Sequence, residues 1–149
     1  MQKNLLLVHG ANLNALGRRD PLQYGALSLS DLEALTRVEA AKYGVDVIAF
    51  QSNHEGALID FLQAQSAIGI IINPGAFSHY SYALHDALVD TQLPVIEVHL
   101  SNVKQREAWR AHSVIAPACV QVIFGKKQLG YLEAVQQLMQ YLAITQLMP

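Results

Sequence analysis

Five short apolar runs rich in β-forming residues recur along this 149-residue chain, at Leu5–Val8, Val45–Phe50, Ile68–Ile72, Val95–Val98 and Val120–Phe124. Most are continuous rather than alternating, the pattern of strands covered on both faces. Helical patterns fill the intervals. Ser30 with Glu33 reads as a capping box ahead of Leu32, Leu35 and Val38, and Ser52 with Glu55 as a second one ahead of Ala57–Ala64. Tyr82–Val89 suits a third helix, ended by the Leu93-Pro94 step, and a last helix carries Leu129, Leu132, Val135, Leu138 and Leu142. Strand–helix alternation with short connections predicts an α/β fold, a doubly wound five-stranded parallel sheet with helices on both faces. For five strands the flavodoxin-like order 2-1-3-4-5 is the prior. No repeat or linker interrupts the pattern, so residues 1–149 read as one domain.

Hydrophobic residues make up 52% of the chain and charged ones 15%, a globular composition. A formal charge of −2 offers no broad basic field, which argues against nucleic acid as a partner. Cys119 is the single cysteine, so neither an intrachain disulfide nor a cysteine zinc site is expected, and it reads as a small buried hydrophobe. No apolar stretch reaches the roughly 18 residues of a membrane span. The apolar run after Met1 is too short for a signal peptide and reads as the first strand, so a cytoplasmic location is the default.

One connection is long. His9–Leu27 joins the first strand to its helix and is rich in Asn, Gly, Arg and Pro, as functional loops are. In it, Tyr24 and the pair Arg18-Arg19 suggest a lid. Open parallel sheets bind ligands beyond the carboxyl ends of their strands, where strand order reverses. HGANLN (9–14), NPGAFSHYS (73–81) and EVHLSN (97–102) fall there, with QSNHEG (51–56) one place further out. Glu97, His99 and Ser101 alternate with apolar residues and share a strand face, so the carboxylate is able to fix the histidine's tautomer. A helix starting near Asn102 would place Arg106 and Arg110 on one face, suited to a carboxylate ligand or to surface salt bridges, with Trp109 packing elsewhere. There is no GxGxxG after strand 1 and no P-loop. His9, His79 and His99 leave a metal site open as a minor reading. A flavodoxin-like binding or receiver module is the rival class, although a receiver needs a phosphorylatable Asp where Asn73 stands.

Taken together, NLNALGRRDPLQYG (12–25), QSNHEG, INPGAFSHYS (72–81), ALHDAL (83–88), EVHLSN and REAWRAHS (106–113) resemble the type II 3-dehydroquinate dehydratases in order and spacing. The resemblance implies a single catalytic domain that removes water from 3-dehydroquinate by anti elimination through an enolate, without metal or other cofactor. It also implies a homododecamer built as a tetramer of trimers, with no nucleic-acid or membrane partner. Position by position it implies Tyr24 as base, Arg19 as its activator, His99 as acid with Glu97 orienting it, and Asn12 beside the enolate. Asn73, His79, Leu100, Ser101 and Arg110 match substrate-binding positions, and Asp86 matches a residue lent by a neighbouring subunit. The sequence departs from the family pattern at His9, Ala11, Asp20, His85 and Ala111.

The chemistry accounts for these residue types. Taking a proton beside a ketone builds charge on its oxygen, which fixed donors must meet. A phenol ionises only near pH 10 in water, so a tyrosine base calls for cations beside it. Expelling hydroxide at neutral pH calls for an acid.

Overall fold

The computed structural model describes residues 3–147. Its strands are β1 (Asn4–His9), β2 (Asp46–Gln51), β3 (Gly69–Asn73), β4 (Val95–His99) and β5 (Gln121–Phe124). They form one parallel sheet in the order β2-β1-β3-β4-β5, as the strand pattern predicts. Strand order therefore reverses between β1 and β3.

The helices are α1 (Pro21–Tyr24), α2 (Leu29–Ala41), α3 (Glu55–Ala64), α4 (Tyr82–Asp90) and α5 (Gln128–Leu147). Side-chain alternation along each strand feeds two cores. Leu5, Leu7, Ile71, Ile96 and Val98 pack with Leu32 of α2 and with Tyr131, Val135 and Leu138 of α5. On the opposite face Leu6, Val8, Ile70 and Ile72 pack with Leu58, Leu62, Leu84 and Leu88 of α3 and α4. Leu129 does not join its helix's buried stripe and is largely exposed.

The helix starts differ from the expected caps. The capping box of α2 is Ser28 with Asp31, not Ser30 with Glu33. Ser28 keeps extended backbone, so its Oγ accepts the Asp31 N–H at 3.1 Å, while Asp31 accepts the Ser28 N–H at 3.0 Å. Ser30 is already inside the first turn, and Glu33 faces His9 at 3.5 Å. At α3 the cap position is His54, because Ser52 Oγ is taken up by the His54 N–H in a tight turn. Glu55 instead accepts the Ser81 hydroxyl, which caps α4 by accepting the Leu84 N–H.

The single helix expected from Asn102 is two 3-10 turns, Val103–Gln105 and Ala108–Ala111. Arg106 separates them in extended conformation, φ −112° and ψ −156°. Side-chain bonds take over here from a helical backbone ladder: Asn102 caps Lys104, and Arg106 reaches back to Ser101.

Candidate active site

Two glycines bring the β1 and β3 loops into direct contact. Gly10 donates its N–H to the Asn73 carbonyl at 2.7 Å, and a Cβ there would lie 2.0 Å from the Pro74 oxygen. Gly75 has φ +59°, and a Cβ on it would lie 2.5 Å from the Ala11 oxygen. Any side chain at either position would force the loops apart. Asn12 follows in the left-handed region, φ 68°, with its N–H held by Asn53 Oδ1 at 2.8 Å. Gln51 donates to that same oxygen and to the Gly10 carbonyl. The QSNHEG segment thus fixes the backbone of Asn12.

The loops enclose a cavity of about 160 Å³. Asn12, Arg19, Tyr24, Asn73, His79, His99, Leu100, Ser101 and Arg110 all line it, as do Arg106 and Trp109. Arg19, five residues before Tyr24, stacks on its ring with Cζ 3.7 Å from the centroid. It is Arg106 that reaches the phenol oxygen, donating from Nη1 to Tyr24 at 2.8 Å and to Ser101 Oγ at 3.2 Å. Burial lowers the pKa of the Arg19 guanidinium; the nearby Tyr24 opposes this, and the Arg106 and Arg110 charges add to it. Three guanidiniums around one cavity make it a site for an anion. No acidic side chain lines it among the described residues, which is contrary to what a receiver needs.

On the β4 side, His99 Nε2 donates to Glu97 Oε1 at 2.6 Å. Glu97 is fully buried behind His99 and does not line the cavity. With Nε2 committed to the carboxylate, Nδ1 is the nitrogen left for a ligand. His79 Nδ1 donates to the His112 carbonyl at 2.7 Å, and its ring meets Trp109 edge-on at 5.0 Å. Burial lowers the His79 pKa, with the His112 carbonyl opposing and the charges of His99 and Arg110 reinforcing. Asn73 is pinned from both ends: Nδ2 donates to the buried Tyr131 hydroxyl at 2.9 Å, and Oδ1 accepts the Gly75 N–H at 3.1 Å. Arg110 combines the two readings of its sequence position, lining the cavity while Nε pairs with the exposed Glu107.

Asp86 is the one candidate outside this arrangement. It sits on α4 with its side chain 78% exposed and bonded to His85. His9 is buried beside Tyr131, with Nε2 3.5 Å from Glu33 Oε1, and this contact holds the Glu33 carboxyl below its ordinary value. Among the described residues, no group of three or more His, Cys, Asp or Glu has the spacing of a metal site. Cys119 is partly buried on the α3–α4 side, where burial raises its thiol pKa. Trp109 does not pack away as expected; it is half exposed on the cavity wall. Sequence reasoning paired Arg106 with Arg110 by helical spacing and so missed its bond to Tyr24, a contact between residues 82 apart.

A family profile described as "Dehydroquinase class II" matches residues 3–139. The 3-dehydroquinate dehydratase of Roseiflexus castenholzii is 53% identical over 137 residues, covering 91% of this chain and 87% of that protein. That of Bacillus mycoides is 51% identical over 142 residues, 94% of this chain and 97% of the relative. The crystal structure of a type II dehydroquinase from Butyrivibrio crossotus superposes with a TM-score of 0.89 at 40% identity, covering 93% of this chain and 98% of that one.

Proposed function

This chain belongs to the class II dehydroquinase family, and from that premise we propose which of its residues carry the reaction. The reaction itself is a hydro-lyase step of the shikimate pathway, 3-dehydroquinate losing water to give 3-dehydroshikimate. Tyr24, ionised, takes the C2 proton. The electron pair passes to the ketone oxygen, and Asn12 stands beside the resulting enolate. The enolate collapses, the C1–oxygen bond breaks, and the departing hydroxyl leaves as water with a proton from His99 Nδ1. The Tyr24 proton and the His99 vacancy then re-equilibrate through solvent.

The observation that carries this reading is the Arg106–Tyr24 bond, in one cavity with the Glu97–His99 pair. A guanidinium touching the phenol oxygen puts positive charge where the base must carry its negative charge, and a second one lies over the ring. A buried carboxylate behind His99 holds its ring through Nε2 and leaves Nδ1 for the departing hydroxyl. Arg110, Asn73, His79 and the Leu100-Ser101 backbone hold the substrate, whose carboxylate matches the guanidinium-rich wall. Acid, base and fixed donors suffice, so the reading needs no cofactor. It includes one catalytic domain over 1–149, a cytoplasmic location and a dodecamer built as a tetramer of trimers, in which Asp86 completes a neighbour's site. Its exposure and its absence from its own cavity support that last element. Among the described residues no helix is long and apolar enough to cross a membrane.

The direct test is to mix the protein with 3-dehydroquinate and follow the conjugated enone by ultraviolet absorbance. Enone formation that is lost in both Tyr24→Phe and His99→Asn is the expected result. Full turnover in either variant would overturn that residue's role.

A further inference from the structure

We propose that Ser113 is a positioning residue for the proton-donating half of the site, holding the Glu97 carboxylate so that Glu97 aims His99. This rests on the reading of His99 as the acid. Ser113 Oγ lies 2.8 Å from Glu97 Oε1 and 2.9 Å from Oε2. A hydroxyl has one proton to give and two lone pairs to fill. Both lone pairs are taken here, by the N–H groups of Ile115 at 3.2 Å and Ala116 at 3.1 Å. Neither N–H is able to receive a proton, so the Ser113 O–H has the carboxylate as its acceptor.

The consequence for Glu97 is directional. Its carboxylate has no exposure to water and receives two donors, His99 Nε2 and the Ser113 hydroxyl. Hydrogen bonds to a buried charge are costly to lose, because nothing replaces them. Without Ser113 the carboxylate keeps a single donor and is free to rotate about its last torsion. Its hold on the Nε2 side of His99 then loosens, and with it the aim of Nδ1. Ser113 itself is fixed from outside β4, because Val114 donates its N–H to the Ser78 carbonyl at 2.7 Å and Ile115 is fully buried. The chain Ser113, Glu97, His99 is therefore anchored at its far end by the core on the α4 side, independently of the Tyr24 segment.

The test uses steady-state kinetics on the full chain. Ser113→Ala is expected to lower kcat about ten- to a hundredfold, the usual weight of a hydrogen bond to a charged group, with KM little changed. Ser113→Thr, which keeps the hydroxyl, restores most of kcat. In a Glu97→Ala background, Ser113→Ala lowers kcat no further, because the group it acts through is gone. A role confined to bracing the 113–116 turn predicts the opposite: a lower Tm, an unchanged kcat and no dependence on Glu97. Should Ser113→Ala fail to fold, Ser113→Cys is near-isosteric with a weak donor and is expected to lose kcat as well. Wild-type kcat in Ser113→Ala or Ser113→Cys, while His99→Asn is impaired, overturns the role of Ser113 alone. Wild-type kcat in His99→Asn overturns the reading of His99 and this inference with it.

Discussion

Arg106 donates a 2.8 Å hydrogen bond to the Tyr24 hydroxyl, while Arg19, nearer in sequence, covers only the face of the same ring. The two cations therefore act on different parts of the phenol. A charge against the oxygen stabilises a phenolate directly, whereas one over the ring acts on the π-system and excludes water.

Replacing Arg106 should accordingly be more damaging at neutral pH than replacing Arg19. Arg106→Met is expected to lower kcat by about ten- to a hundredfold, for loss of a charge-assisted bond. Values of kcat for Arg106→Met and Arg19→Met at neutral pH check this. Equal losses in the two variants would remove the distinction between the cation at the oxygen and the cation over the ring.

Arg110 lines the cavity but also pairs with Glu107. If the substrate carboxylate is its ligand, Arg110→Ala raises KM by about ten- to a hundredfold. Glu107→Gln, which frees the guanidinium from its surface partner, should leave KM the same or lower it. An unchanged KM in Arg110→Ala would reduce Arg110 to a surface ion pair.

His79 titrates below its ordinary value of 6.5 because it is partly buried. The sign for stability follows from proton counting. Below pH 6.5 an unfolded chain protonates at position 79 while the native state resists, so the unfolded state binds more protons. This contribution is present above 6.5 and is lost as pH falls toward the depressed folded value. Tm of the wild type should therefore drop between pH 7.5 and pH 5.5 by more than Tm of His79→Asn. Parallel curves for the two proteins would contradict it.

Asp86 reaches a substrate only if another chain brings it, since it is exposed on α4 and absent from its own cavity. Asp86→Ala and Tyr24→Phe should each be nearly inactive, the latter because a lost general base costs at least about 10² in rate. Dissociated and reassembled together, they should regain activity at interfaces that pair an intact Tyr24 with an intact Asp86. Mixtures that remain at the sum of their parents, after subunit exchange is verified by mass, would place each site within one chain.

The strands were legible because burial on both faces demands continuous apolar runs, and a run such as Ile70-Ile71-Ile72 has no other comfortable setting. Nine of the proposed site residues line one cavity because strand ends converge at the switch point, which periodicity already indicates. What local spacing could not give was the competition between equivalent partners. Ser28 and Ser30 both stand three residues before an acid, and backbone conformation decided between them. Arg106 and Arg110 fit a helical turn, yet the pull of Ser101 and Tyr24 left Arg106 extended. Ser113 lay within a matched motif, and only the approach of Glu97 from another element gives it meaning.

The charges of this site differ in depth. Glu97 is fully buried and the His99 side chain only 8% exposed, whereas Arg110 and Glu107 are 22% and 55% exposed at the rim. Dissolved salt screens exposed charges strongly and buried pairs hardly at all. On the roles proposed above, ionic strength therefore divides the catalytic cycle. Salt competes where the substrate carboxylate is captured, and the proton-donating pair inside is insulated from it. As the salinity around the protein changes, substrate capture would vary while the bond-breaking step holds steady.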